Sequence, residues 1–277
     1  MITQKKRANG FEYIHVKNSV AEAEIALQGA HIFSYKTEEN LLWLSETSVF
    51  ESGKAIRGGI PLCWPAFGMN NPQLPQHGFA RTMPFELIHV EEPTEDVTLL
   101  SLRLSDNEES RSLWDYHFEL TLRITLSNRL KLELTTTNKD TKAFTLTQAF
   151  HTYFAISDIQ NIHIDGLEGK PYLDALEQSQ KIQQGSITFH REFDAVYQDV
   201  EKTIRLIDTN KTSTISTQGS TSCVVWNPWI DKCSRMSAMQ ADAYKKFVCI
   251  ESANAYDDFK ILQPQESHTL AVTFTTL

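Results

Sequence analysis

The residues best suited to chemistry are concentrated in one segment and then spread thinly along the rest of the chain. Positions 57–81 hold four glycines, four prolines, two arginines and one histidine. That density of Gly and Pro excludes a regular helix and argues against a central strand. A long ordered loop in a folded domain is usually functional. Arg57 and Arg81 suit an anion, His77 suits a neutral hydrogen-bonding group, and Trp64, Phe67 and Phe79 supply aromatic surface between them. The inventory fits a phosphorylated sugar. The chain carries a net charge of −9, so its overall field opposes an anion and only a local positive site could hold one.

Three residues outside the loop have the right type for proton transfer or hydroxyl binding. His151 follows Phe144, Thr145, Leu146, Thr147, Gln148, Ala149 and Phe150. Strand parity puts Phe144, Leu146 and Phe150 on one face and His151 with Thr145, Thr147 and Ala149 on the other. Taken alone, His151 reads first as a structural histidine bonded to a backbone carbonyl and second as an acid–base group. Glu251 ends the apolar run Phe247, Val248, Cys249, Ile250. A carboxylate there is costly unless it is paired or functional, and desolvation would raise its pKa towards that of a useful base. A strand-end Glu emerging into solvent is the equal alternative. Asp194 alone reads by default as a turn or capping residue. Trp226 and Trp229 flank Asn227-Pro228, a rigid turn with large aromatic faces; one Trp is expected in the core and the other near a ligand.

Several chemistries are excluded. The chain has no Walker A pattern, no G-x-G-x-x-G opening a helix, no H-E-x-x-H and no G-x-S-x-G, so neither a dinucleotide nor a resident metal is expected. Its acidic balance disfavours nucleic acid. The four cysteines form no C-x-x-C pair or zinc spacing and read as reduced thiols. No apolar run nears the ~20 residues of a membrane helix, and the polar, basic first ten residues have no apolar stretch behind them. The chain reads as soluble and cytoplasmic.

The elements that must position these residues are strands. Phe118, Leu120, Leu122, Ile124 and Leu126 alternate with polar residues, 127–129 signals a turn, and Leu130, Leu132 and Leu134 resume the alternation, which predicts a hairpin. Further strands are predicted at 11–16, 20–27, 97–104, 143–153, 203–208, 212–217, 221–226, 246–251 and 269–276, with short helices at 173–180 and 237–246. Many strands and few helices indicate an all-β antiparallel sandwich or barrel. With no repeat, linker or composition shift, residues 1–277 read as one domain.

With these pieces in place, the chain resembles the aldose 1-epimerase (mutarotase) superfamily, and within it the D-hexose-6-phosphate mutarotases, or glucose-6-phosphate 1-epimerases. Four blocks carry the resemblance. They are Ile56-Arg57-Gly58-Gly59-Ile60-Pro61 with Trp64-Pro65 and Phe67-Gly68; His77-Gly78-Phe79-Ala80-Arg81; Phe150-His151-Thr152-Tyr153; and Val225-Trp226-Asn227-Pro228-Trp229 followed by Val248-Cys249-Ile250-Glu251. The resemblance implies a large antiparallel β-sandwich of the galactose-mutarotase type, a supersandwich with the ligand on a concave sheet face. It implies His151 as general acid and Glu251 as general base, His77 and Asp194 on sugar hydroxyls, and Arg57 and Arg81 on the 6-phosphate. The chemistry needs no cofactor or metal, and the partner is a small-molecule hexose phosphate acted on by a monomer. Two departures stand out: Ala195 where a basic or polar residue is expected, and Ser252-Ala253-Asn254-Ala255 in place of an Ala-Gly-Asn-Val type sequence. Three other readings remain: a mutarotase for unphosphorylated aldoses, a non-catalytic sugar-phosphate-binding module, and a glycoside hydrolase using Asp194 and Glu251.

Overall fold

A computed structural model describes residues 1–69, 71–201 and 203–276. Its two largest parts are antiparallel sheets of eight strands each. The first is built on the predicted hairpin. Phe118–Leu126 pairs with Arg129–Asn138 in one unbroken register, Leu122 opposite Leu134. Phe118, Leu120, Leu122, Ile124, Leu126, Leu130, Leu132 and Leu134 are all buried, as the alternation requires. Val97–Ser105 and Glu86–Thr94 extend this sheet on one side. Ser267–Thr276, Thr212–Gln218, Ile204–Ile207 and His163–Asp165 extend it on the other. The second sheet runs in the order Ser179–Ile182, Pro171–Asp174, Phe193–Tyr197, Ser222–Asn227, Phe247–Asn254, Gln148–Phe150, Leu62–Cys63, with Tyr153–Ala155 also on Phe247–Asn254. Phe154 of this sheet meets Phe274 of the first edge to face at 5.5 Å, one of the contacts by which a shared core joins the two. A four-stranded N-terminal sheet and a two-stranded one complete the architecture.

The long loop is held to both layers. The buried Trp64 ring donates to Thr136 Oγ1 at 2.9 Å, in the regular hairpin. Residues 62–63 form a two-residue strand at the edge of the second sheet, a place that tolerates the surrounding prolines. Gly78 has φ +69°, and a Cβ there would run into the Trp64 carbonyl, so the loop closes on itself only with glycine at that position.

Several expectations need correction. The segment expected to be helical at 173–180 is a hairpin, Pro171–Asp174 against Ser179–Ile182. Asp174 Oδ1 accepts the backbone N–H groups of Leu176 and Glu177 and closes the turn. No α-helix spans 237–246. Ala238 adopts a left-handed φ of +54°, and only the 3₁₀ turn Ala243–Lys245 remains. The helical residues lie earlier, at Trp229–Arg235, where Asn227 Oδ1 accepts the N–H of Trp229. The single strand expected at 143–153 is three short ones, Phe144–Leu146, Gln148–Phe150 and Tyr153–Ala155. His151 falls in a break between them, so parity does not place it. Its position is set by backbone bonds to the loop: His151 N to Pro61 O at 3.0 Å and Tyr153 N to Gly59 O at 2.9 Å. All four cysteines are buried and unpaired. Among the described residues no helix is long and apolar enough to cross a membrane.

Candidate active site

The register of the second sheet aligns polar and aromatic side chains on one face. Asp194 lies opposite Trp226, Trp226 opposite Cys249, and Cys249 opposite Tyr153; Val224 lies opposite Glu251. Residues directly paired across antiparallel strands point to the same side. Above this row is a cavity of about 400 Å³, large enough for a small ligand. The six residues to which the family resemblance gives a role all line it: Arg57, His77, Arg81, His151, Asp194 and Glu251.

At the centre, His151 Nδ1 is 3.4 Å from Glu251 Oε1. His151 is 9% exposed and Glu251 2%. Neither His151 Nδ1 nor Glu251 Oε2 has a hydrogen-bond partner among the described residues. All eight residues of Phe247–Asn254 are buried, so Glu251 does not emerge into solvent. Burial and then Asp194 push its carboxyl well above the ordinary value. Burial first, with the positive charges of Arg81 and Arg57 nearby, holds His151 well below its ordinary value. Both shifts favour a neutral pair with one proton on the carboxyl. Moving that proton across the 3.4 Å gap gives the carboxylate–imidazolium form, so the pair holds one acid and one base in either state.

The loop supplies the positive end. Arg57 lies beside Tyr153, its Nη1 donating to the Tyr153 hydroxyl at 3.5 Å. Arg81 Nη2 donates to the Gln76 carbonyl at 2.6 Å. Neither guanidinium has a carboxylate partner among the described residues. His77 sits at φ +64°, an uncommon conformation for a non-glycine residue and one that concentrates at functional sites. Its Nδ1 accepts from Gly68 N at 3.2 Å, which leaves Nε2 as the ring's N–H donor. Burial first, then Arg81 and Arg57, push His77 down to about 3, so it stays neutral.

The opposite wall carries Asp194. Burial raises its pKa to about 6 against the opposing pull of Lys232. Lys232 Nζ is 3.9 Å from Asp194 and 2.6 Å from Glu192. Lys232 and Tyr153 were not singled out from the sequence. Lys232 carries no local signal, since its place depends on the Trp229–Arg235 helix. Trp226, not Trp229, lines the cavity. Ala195 is buried in the core cluster, so its identity does not alter the pocket-facing Asp194. Asn254 is likewise structural: it bonds Gln148, Gly219 and Asp258. His151, Cys249 and Glu251 bring donor atoms within 4.8 Å of one another, a set a metal ion could draw together. Burial and Glu251 hold the Cys249 thiol well above its ordinary value and therefore protonated.

The arrangement can hold an anion at one end, bind hydroxyls at two walls and exchange protons in the middle. Known proteins resemble the chain over most of its length. The aldose 1-epimerase family pattern matches residues 12–275. A protein of Cenchrus ciliaris named "Putative glucose-6-phosphate 1-epimerase" is 39% identical over 83% of this chain and 74% of its own length. One of the same name from Escherichia coli K12 is 32% identical over 96% and 91%. A crystal structure titled as a putative mutarotase from Salmonella typhimurium superimposes with a TM-score of 0.92 at 31% identity, covering 99% of this chain and 93% of that one. More distant galactose mutarotase-like structures, such as one from Lactobacillus casei at 16% identity and a TM-score of 0.76, share the fold.

Proposed function

The chain belongs to the aldose 1-epimerase family of isomerases, and from that premise we propose that it interconverts the α and β anomers of a hexose 6-phosphate, glucose 6-phosphate being the leading candidate. The observation that carries this reading is one cavity lined both by the close His151–Glu251 pair and by two arginines without carboxylate partners among the described residues.

Glu251, as carboxylate, takes the proton of the C1 hydroxyl while His151, as imidazolium, gives its proton to the ring oxygen. The C1–O5 bond breaks and C1 becomes the aldehyde carbon. Rotation about C1–C2 presents the other carbonyl face, and closure reverses both proton transfers. The enzyme ends in its starting protonation state, and neither a redox step nor a metal is involved. Each positioned acid or base contributes ~10²–10⁴ in rate. Arg57 and Arg81 hold the phosphate, with planar forks that can each engage two oxygens. His77 donates through Nε2 to one sugar oxygen, and Asp194 accepts from a hydroxyl on the far wall. A neutral aldose would leave the two arginines without an anionic partner, which favours the phosphorylated substrate over a free sugar. The carboxyl-to-histidine pairing favours anomer exchange over a carboxylate-pair glycosidase. The reading treats residues 1–277 as one working unit.

Saturation-transfer NMR of anomer exchange tests it. Exchange in glucose 6-phosphate should be accelerated well beyond that in glucose. Arg57→Ala should cost glucose 6-phosphate about 1.5–3 kcal/mol, the scale of a charged hydrogen bond, and glucose far less. Equal losses for the two sugars would remove Arg57 from the phosphate site.

A further inference from the structure

Tyr153 touches both ends of this pocket. Its ring lies parallel to the His151 imidazole, with 4.9 Å between centroids and 8° between planes. Its hydroxyl is the partner of Arg57 Nη1. Behind it the ring is packed by Trp43, stacked at 5.8 Å, and by Phe247 at 5.1 Å. The backbone is fixed on both sides: Tyr153 N donates to Gly59 O, two residues from Arg57, and Trp43 N donates to Tyr153 O. At 2% exposure, the ring has little freedom to move independently of either neighbour. The second arginine has a parallel route. Arg81 bonds the carbonyl of Gln76, and the next residue, His77, holds its ring 5.6 Å from His151.

We propose that Tyr153 is a positioning residue that couples the phosphate end of the pocket to its proton-transfer end, so that an anion held by Arg57 and Arg81 speeds ring opening in addition to binding the substrate. The proposal rests on the reading of the pocket given above and adds a mechanism of specificity to it. The groups facing His151 are His77, Arg57, Arg81, Glu251 and Cys249, and the two arginines are among the charges that oppose its protonation. A dianion between them cancels that opposition in a poorly screened site. It also fixes Arg57, and through the Arg57–Tyr153 contact and the parallel stack it fixes the imidazole plane. A sugar without phosphate lacks both effects, so its deficit appears in kcat as well as in KM.

The substrate can be split to test this. D-Xylose has the reacting centre but no C6, and inorganic phosphite dianion supplies the anion separately. Exchange between xylose anomers is measured by NMR with and without saturating phosphite, for wild type and Tyr153→Phe, and phosphite is also tested as a competitor of glucose 6-phosphate. In wild type, phosphite should compete and should accelerate xylose exchange by about fivefold or more, the low end of ordinary coupling between sites. Tyr153→Phe keeps the ring and removes the hydroxyl, so at equal phosphite occupancy the acceleration should drop to less than about half. A merely structural role for Tyr153 would change the basal rate but not this ratio. Competition without any acceleration in wild type overturns the coupling and leaves the phosphate site standing. Full acceleration in Tyr153→Phe overturns the part assigned to Tyr153. Failure of phosphite to compete overturns the phosphate site itself, and the proposal with it.

Discussion

The two eight-stranded sheets are built by opposite rules. In the sheet of the Phe118–Leu126/Arg129–Asn138 hairpin the central strands are long, and the buried face of the pairing is apolar except at Thr136 and Asn138. The side chains it buries are mostly aliphatic, with Phe118, Phe274, Thr98, Thr136, Asn138 and Ser213 among the exceptions. The sheet under the pocket has short strands, a break at His151, and buried polar residues including Gln148, Glu251 and Asn254. One sheet buries apolar area at about 25 cal/mol per Å². The other spends part of that gain to keep a histidine and a carboxyl out of water, where each costs more than an apolar side chain of its size. The difference indicates a division of labour, with stability drawn mainly from the regular sheet and reactivity placed on the irregular one. It can be tested from either side.

The largest effect should come from the irregular sheet. His151→Asn and Glu251→Gln should each lower the rate of glucose 6-phosphate anomer exchange by ~10²–10⁴, the usual contribution of a positioned acid or base. Circular dichroism and thermal melts should show both variants folded. Near-normal exchange in either would take that residue out of the proton-transfer step. Next comes the regular sheet. Leu132 is fully buried between Ile124 and Val272, and Leu132→Ala should cost about 2–5 kcal/mol by transfer and cavity terms together. The folded fraction should keep its kcat, because Leu132 does not line the pocket. Denaturant titration with activity measured on the same samples separates the two, and a large kcat loss without a stability loss would erase the division.

The same contrast governed what could be read from the sequence. Alternation is a local signal, so the regular hairpin and its buried leucines were legible residue by residue. The 173–180 segment was not, because Leu, Glu, Gln and Ala have helical propensity while the Asp174 turn and the pairing of both arms favour a hairpin. The six pocket residues could each be picked out, but their roles as a set came from the family resemblance. What joins His151 to Glu251 is the register of strands a hundred positions apart, and no local pattern encodes it. Lys232 and the bridging place of Tyr153 depend on that same non-local geometry.

The smallest expected effect sharpens the contrast most. If Glu251 is kept for reactivity at the expense of the fold, Glu251→Gln should stabilise the protein by about 0.5–2 kcal/mol at neutral pH, the range of substitutions that trade activity for stability. The sign follows from linkage. Burial raises the Glu251 carboxyl in the folded state above its value of 4.5 in the unfolded chain. Below that value both states are protonated and glutamine gains nothing. As pH rises beyond it, the unfolded chain sheds a proton that the folded protein retains, and wild type loses stability until pH passes the folded value. The gain from glutamine should therefore be near zero at pH 4 and grow towards pH 8. Asp194, raised to about 6, contributes a loss of the same sign. His151, held low, contributes the opposite one, lost as pH falls below its ordinary 6.5. Both groups are present in wild type and variant, so to first order they cancel in the difference between the two melting curves. A difference that is flat with pH, or a variant less stable than wild type at pH 8, would mean that the Glu251 carboxyl supports the fold, and that the irregular sheet contributes to stability in the same way as its partner.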